Sequence, residues 1–144
     1  MKYKWEDFQA YHDMHIFSYI GKDKSGRPIL LNRLRNVLCS KINDYNHFFD
    51  YHFYLFEIYL QDQMQGWVDQ FSIITDTSNQ ISDNTNLSFS KRIMTEAMNL
   101  CMGRHYKVIA FDVGFLGMAL NAVAKTILPI SFTGVVKTVG TDRK

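Results

Sequence analysis

The residues of this 144-residue chain that are equipped for chemistry are few and scattered. His12 and His15 stand three apart, as on one helical face, with Asp7 and Asp13 nearby. A metal ion needs a fuller ligand set and supporting second-shell bonds, which this spacing does not specify, so no metal is expected. His47 and His52 lie among Phe and Tyr residues and read as core or interface histidines. Asp76 and Asp112 each end an apolar run. Two carboxylates meeting there would suit general acid–base work. A strand-end Asp equally caps the turn that follows, and that is the expectation here. Cys39 and Cys101 are far apart and imply no disulfide framework, which fits a reducing, intracellular compartment. No P-loop, GxSxG, HExxH or paired-cysteine motif occurs. The expectation is a chain with no catalytic residue and no cofactor, not an enzyme.

Composition narrows the alternatives. Hydrophobic residues make up 47% of the chain and aromatic ones 15%, enough for a buried core and against disorder. The net charge of +2 is too small for a nucleic-acid binder. The opening MKYKWEDFQAYHD has no apolar run after its charges and carries Glu6 and Asp7, unlike a secretory signal or an Arg-rich transit peptide. No stretch of eighteen apolar residues offers a transmembrane helix.

The elements that must position any site follow from apolar patterning. Residues 14–20 read as a first strand, 21–28 as a tight turn with Gly26 and Pro28, and 29–34 as a second strand. Residues 43–64 hold no Pro or Gly and suit a long helix ended by Gly66. Its eight Phe and Tyr between Tyr45 and Tyr59 occupy nearly every side, so more than one face must be covered. A sheet covers one side; a lid, a bound lipid or another protein must meet the other. Residues 71–75 read as a buried parallel strand, 76–86 as a loop, and 91–102 as a helix capped by Ser88 or Ser90. A strand over 106–111, a helix over 115–128 closed by Pro129, and a strand over 135–139 complete the chain. Strands alternating with helices predict a single α/β domain, 1–144, with a mostly parallel central sheet and packed helices.

Four segments in order resemble the CRAL-TRIO lipid-binding domain, most closely over residues 20–140. Gly21-Lys22-Asp23-Lys24-Ser25-Gly26-Arg27-Pro28-Ile29 is similar to the family's G-x-D-K-x-G-R-P-V hairpin, with seven positions in agreement. FSIITD, 71–76, is similar to its strand ending in Asp, and residues 106–112 to a strand followed by an aromatic-rich helix. That helix is VGFLGMALNAVAKTIL here, with Lys125 at the place of the K-P-F-L lysine, and Gly134 to Gly140 resembles the last strand. The family's preceding helical domain and its closing L-P-x-x-Y-G-G have no counterpart in residues 1–144. The resemblance implies a pocket for a hydrophobic ligand, lined by Ile74, Phe111, Phe115, Leu116, Met118, Ala119 and Val123, with 113–128 as its lid and Arg27 and Pro28 as structural residues.

Two functions compete on this reading. One is non-catalytic binding of a lipid or other hydrophobic ligand, a phospholipid included, with contact to a membrane surface. The other is an accessory subunit of a larger hetero-complex, cytoplasmic or mitochondrial, in which the pocket is reduced or lost. The aromatic helix, with Trp5, Phe8 and Tyr11 near a bare boundary, is the motive for the second. Gly103 stands where phosphatidylinositol-transfer members carry a headgroup Glu, and Val135, with Lys137 nearby, where they carry a Lys. The sequence therefore predicts no selectivity for phosphatidylinositol over phosphatidylcholine. A liposome transfer assay checks this, and clear inositol-lipid selectivity contradicts it.

Overall fold

The computed structural model describes residues 3–64, 66, 68–100, 104–113, 118, 122 and 136–139. A 3-10 turn, Trp5–Phe8, runs into α1 (Gln9–His12) and then β1 (Phe17–Lys22) and β2 (Pro28–Arg33). α2 (Tyr45–Gln63), β3 (Phe71–Asp76), α3 (Leu87–Leu100), β4 (His105–Phe111) and β5 (Val136–Val139) follow. The five strands form one sheet in sequential order, β1-β2-β3-β4-β5. β1 and β2 are antiparallel, while β2–β3, β3–β4 and β4–β5 are parallel. The difference lies in the connections. A five-residue turn can only reverse the chain, whereas parallel neighbours need a longer crossover. The expected mostly parallel α/β sheet is therefore present, with β3 and β4 in its interior.

The hairpin is built by one carboxylate. Asp23 accepts from the backbone N–H of Ser25 at 2.8 Å and of Arg27 at 2.9 Å, and from the Arg27 guanidinium at 3.0 Å. The Arg27 N–H, aided by the Arg27 side chain and Ser25, holds the Asp23 carboxyl below the usual range against the opposing effect of burial. Gly26 turns the chain at φ +81°, and Pro28 is fully buried at the start of β2. β1 begins later than the sequence suggests, because Met14 and His15 belong to the turn that ends α1 and His15 sits at φ +51°.

Sequential strand order with right-handed crossovers places α2 and α3 on one face of the sheet. That face presents Phe17 and Tyr19 from β1, Leu30 from β2, and Phe71 and Ile73 from β3. Phe56 of α2 stacks against Phe17 at 5.9 Å and Phe71 at 5.8 Å, and Phe48 lies 5.3 Å from Phe89 of α3. α2 starts at Asp44, whose carboxylate accepts from the N–H groups of Asn46 and His47. Gly66, at φ +68°, takes the left-handed backbone expected just beyond its end.

The outer side of α2 is covered by the chain itself. Phe8 lies 5.6 Å from Tyr51 and 5.1 Å from Tyr54, and Tyr11 packs on Phe48 at 5.0 Å. Tyr3 anchors the segment by donating to Asp50 at 2.6 Å. Residues 3–16 thus cover the Phe48, Tyr51 and Tyr54 side of α2, and Phe8 and Tyr11 are core residues rather than a bare boundary.

α3 corrects another expectation. It begins at Leu87, capped by the Asn86 side chain on the N–H of Phe89 at 2.9 Å, so neither Ser88 nor Ser90 is the cap. Asn86 wins because its carbonyl reaches the third N–H while its own backbone oxygen receives Ser90. The expected 115–128 helix falls largely outside the described residues, of which Met118 and Ala122 are helical. Among the described residues no helix is long and apolar enough to cross a membrane.

Two stability outcomes follow. A Cβ on Gly26 would meet only Val68 Cγ2, at 3.9 Å, so Gly26→Val costs backbone strain alone, about 1–3 kcal/mol. Gly26→Asn should retain most of the stability, and an unchanged melting temperature for the Val variant contradicts the turn. His52 is buried among Phe17, Phe48 and Phe89 and donates through Nδ1 to the Phe48 carbonyl at 2.8 Å. Burial pushes its imidazole down from 6.5 to about 4, the Phe48 bond opposing in part. The unfolded chain takes up a proton near pH 6.5 that the folded chain refuses until about pH 4. Stability should hold above pH 6.5 and fall by about 3 kcal/mol on acidification through that window, a loss that His52→Leu abolishes in denaturant titrations.

Candidate ligand-binding face

Side chains alternate along a strand, so the residues between those facing α2 define the second face of the sheet. Cross-strand partners share a face and give three rows. Ile29, Ser72 and Lys107 form the first; Leu31, Ile74, Ile109 and Lys137 the second; Arg33, Asp76, Phe111 and Val139 the third. The centre is apolar and half-buried. At its margins Ile20 is 50% exposed, Phe111 43% and Val139 45%.

The two strand residues that the sequence nominates, Ile74 and Phe111, meet on this face. Ile74 pairs with Ile109, and Phe111 lies one row on, opposite Asp76. Met118 is helical and 57% exposed. Phe115, Leu116, Ala119 and Val123 lie outside the described residues, as do Gly103, Lys125 and Val135. Sequence reasoning missed Leu31, Ile109 and Lys107, and had Lys137 only as a neighbour of Val135. The alternation of ILLNRL, 29–34, carried the signal for Leu31, but which parity faces away from α2 depends on register.

The charged groups of the face are mostly committed. Arg33 donates to the Ser18 hydroxyl at 2.8 Å and to the His15 carbonyl at 3.5 Å. Asp76 accepts from the backbone N–H and hydroxyl of Ser78 at 3.0 and 2.6 Å, and pairs with Arg35 at 3.4 Å. Burial alone would raise its carboxyl; the Ser78 bonds, Arg35 and Arg33 outweigh that and hold it below the usual range. It is an ionised cap of the following turn, as expected of a strand-end Asp.

Asp112 contributes through its backbone. It stands at φ +54°, donates its N–H to Val139 at 2.9 Å, and its carbonyl accepts from the Thr77 hydroxyl at 2.9 Å. Thr77 also bonds the Phe111 carbonyl through both hydroxyl and N–H, at 2.8 and 3.0 Å. The ends of β3, β4 and β5 are thereby tied together beside Phe111.

The motif residues stand at the opposite end of the sheet. The Arg27 guanidinium stacks 3.6 Å from the Tyr106 ring centroid while paired with Asp23, so its role is structural. His12 and His15 have ring centroids 6.3 Å apart, with His12 edge-on to Trp5 at 4.2 Å. His47 lies among Tyr3, Phe8 and Tyr11.

The family model of the CRAL/TRIO domain matches residues 12–143, nearly the whole chain. This chain belongs to the CRAL/TRIO domain family. The crystal structure of Sfh5 superposes with a TM-score of 0.70 over 93% of this chain, at 10% sequence identity. That likeness is one of fold. The chain spans about half of the Sfh5 chain, 53% of it. No curated protein sequence matches. Membership in the family points to a lipid or other hydrophobic ligand.

Proposed function

We propose that the chain is a non-catalytic domain that holds a lipid or other hydrophobic ligand against the sheet face opposite α2 and α3. One observation carries the reading: an apolar floor of Leu31, Ile74 and Ile109, half-buried and edged by exposed Phe111, Val139 and Ile20. Binding would draw on burial of acyl or isoprenoid surface at roughly 25 cal/mol per Å². Asp76 and Arg33 near the floor are spent on capping and tethering, which is consistent with this role.

A second reading, an accessory subunit of a larger assembly, draws support from Ile81 and Leu87. They bracket the turn Ser82–Asn84 and are 57% and 54% exposed. The covering of α2 by residues 3–16 removes the main motive for that reading, and the lipid reading stands first.

Native mass spectrometry of the purified chain, with extraction and identification of retained lipid, separates the two. The expected result is a monomer carrying one lipid-sized adduct. Phe111→Ser removes an exposed side chain and should leave folding intact while weakening ligand binding roughly tenfold, about 1.4 kcal/mol. A stable chain that retains and binds no lipid, and that recovers with a protein partner, favours the assembly.

A further inference from the structure

The connection between β3 and α3 holds two large aliphatic side chains out in water. Ile81 is 57% exposed and Leu87 54%, whereas Leu31, Ile74 and Ile109 of the sheet are half-buried. The backbone that carries them is pinned. The buried Asn84 side chain donates to the carbonyls of Arg35 and Val37, both at 2.9 Å, and accepts from the Ile81 N–H at 2.7 Å. Asp83 accepts from the N–H and the hydroxyl of Ser40 at 3.0 and 2.7 Å, and Asn86 caps α3. The acid and amide side chains of the turn are thus spent on the protein, while the two flanking aliphatic ones face solvent. A mobile loop could fold such residues away; a pinned one keeps them available to a partner phase.

Cations border the pair. Lys41 follows Ser40, the residue bonded to Asp83, and Lys91 stands one turn beyond Leu87 on the same side of α3. Both are exposed, and neither has a carboxylate within ion-pair distance among the described residues. Arg92, also exposed, donates to the Asn46 side chain and lies 4.4 Å over the Phe49 ring. Asp44 is turned to the first N–H groups of α2, as Asp83 is to Ser40. We infer that this surface docks the chain on an anionic bilayer, with Ile81 and Leu87 entering the acyl boundary and Lys41 and Lys91 meeting the charged headgroups. Aliphatic tips bordered by unpaired cations match the layering of such a surface. A protein partner fits less well, because the cores of protein interfaces are depleted in Lys and enriched in aromatic residues and Met. Two side chains and two cations make the contact peripheral and reversible. The inference goes beyond the lipid-binding reading and does not depend on it, since the patch lies on the β3–α3 connection and not on the sheet face.

Flotation of the purified chain with vesicles of phosphatidylcholine, and of phosphatidylcholine mixed with phosphatidylserine, tests the surface. The anionic vesicles should retain at least about fivefold more chain, and added salt should erode the difference. Ile81→Ser combined with Leu87→Ser should cut retention about tenfold and leave the melting temperature unchanged, both side chains being exposed. Lys41→Gln combined with Lys91→Gln should reduce the preference for anionic vesicles several-fold. Lys24→Gln, in the hairpin at the other end of β2, should leave it unchanged. Absence of retention on either vesicle overturns the inference. Retention untouched by the aliphatic and lysine substitutions overturns its assignment to this surface. A chain that ignores vesicles but self-associates in sedimentation, and disperses with Leu87→Ser, makes the patch a protein interface instead. Lipid retained in native mass spectrometry reports on the sheet face separately, so a failure of docking leaves the lipid-binding reading standing.

Discussion

Everything in this domain hangs on the burial of α2. Its rings are packed from two sides at once. Phe48, His52 and Phe56 face the sheet and α3, while His47, Tyr51 and Tyr54 face the N-terminal segment. Phe8, Phe48 and Tyr51 are almost completely buried. Ring pairs of this kind contribute about 0.5–1.5 kcal/mol each beyond their area, so the cluster is the largest apolar investment visible in the chain. A neutral His52 is admitted to its centre because the Phe48 carbonyl accepts a hydrogen bond from its ring N–H.

That investment makes the sheet asymmetric. Strands in sequential order joined by right-handed crossovers send α2 and α3 to the same side. Aromatic side chains bury Leu30 and Phe71 there, while Ile73 and Val108 on the same face, and Leu31, Ile74 and Ile109 on the other, remain half-buried. Stability is drawn chiefly from the α2 cluster, and the half-buried apolar residues of the sheet need not be used up in supplying it.

Much of this was legible in the residues. β3 and β4 were readable because FSIIT and YKVIAF are short apolar runs flanked by polar ones, and the hairpin because Asp23, Gly26 and Pro28 each serve one backbone need. The start of α3 was misread because Asn86, Ser88 and Ser90 are all competent caps, and only the path of the preceding loop selects Asn86. The cover of α2 was misread because long-range packing leaves no periodic mark. Trp5, Phe8 and Tyr11 announce an apolar segment but not the surface it meets. Half of the candidate floor, Ile74 and Phe111, followed from the family resemblance. Leu31, Ile109, Lys107 and Lys137 needed the register, since a shift of one residue would send each to the other face.

Register also decides what the strand-end groups can do. Asp76 lies on the face opposite α2, in one row with Arg33 and Phe111. Ser78 and Arg35 hold its carboxylate, and the bonds from Thr77 to the Phe111 and Asp112 carbonyls fix that end of the sheet. The chain thus spends its own carboxylate on keeping the strand ends together, and a one-residue slip would remove it from that task.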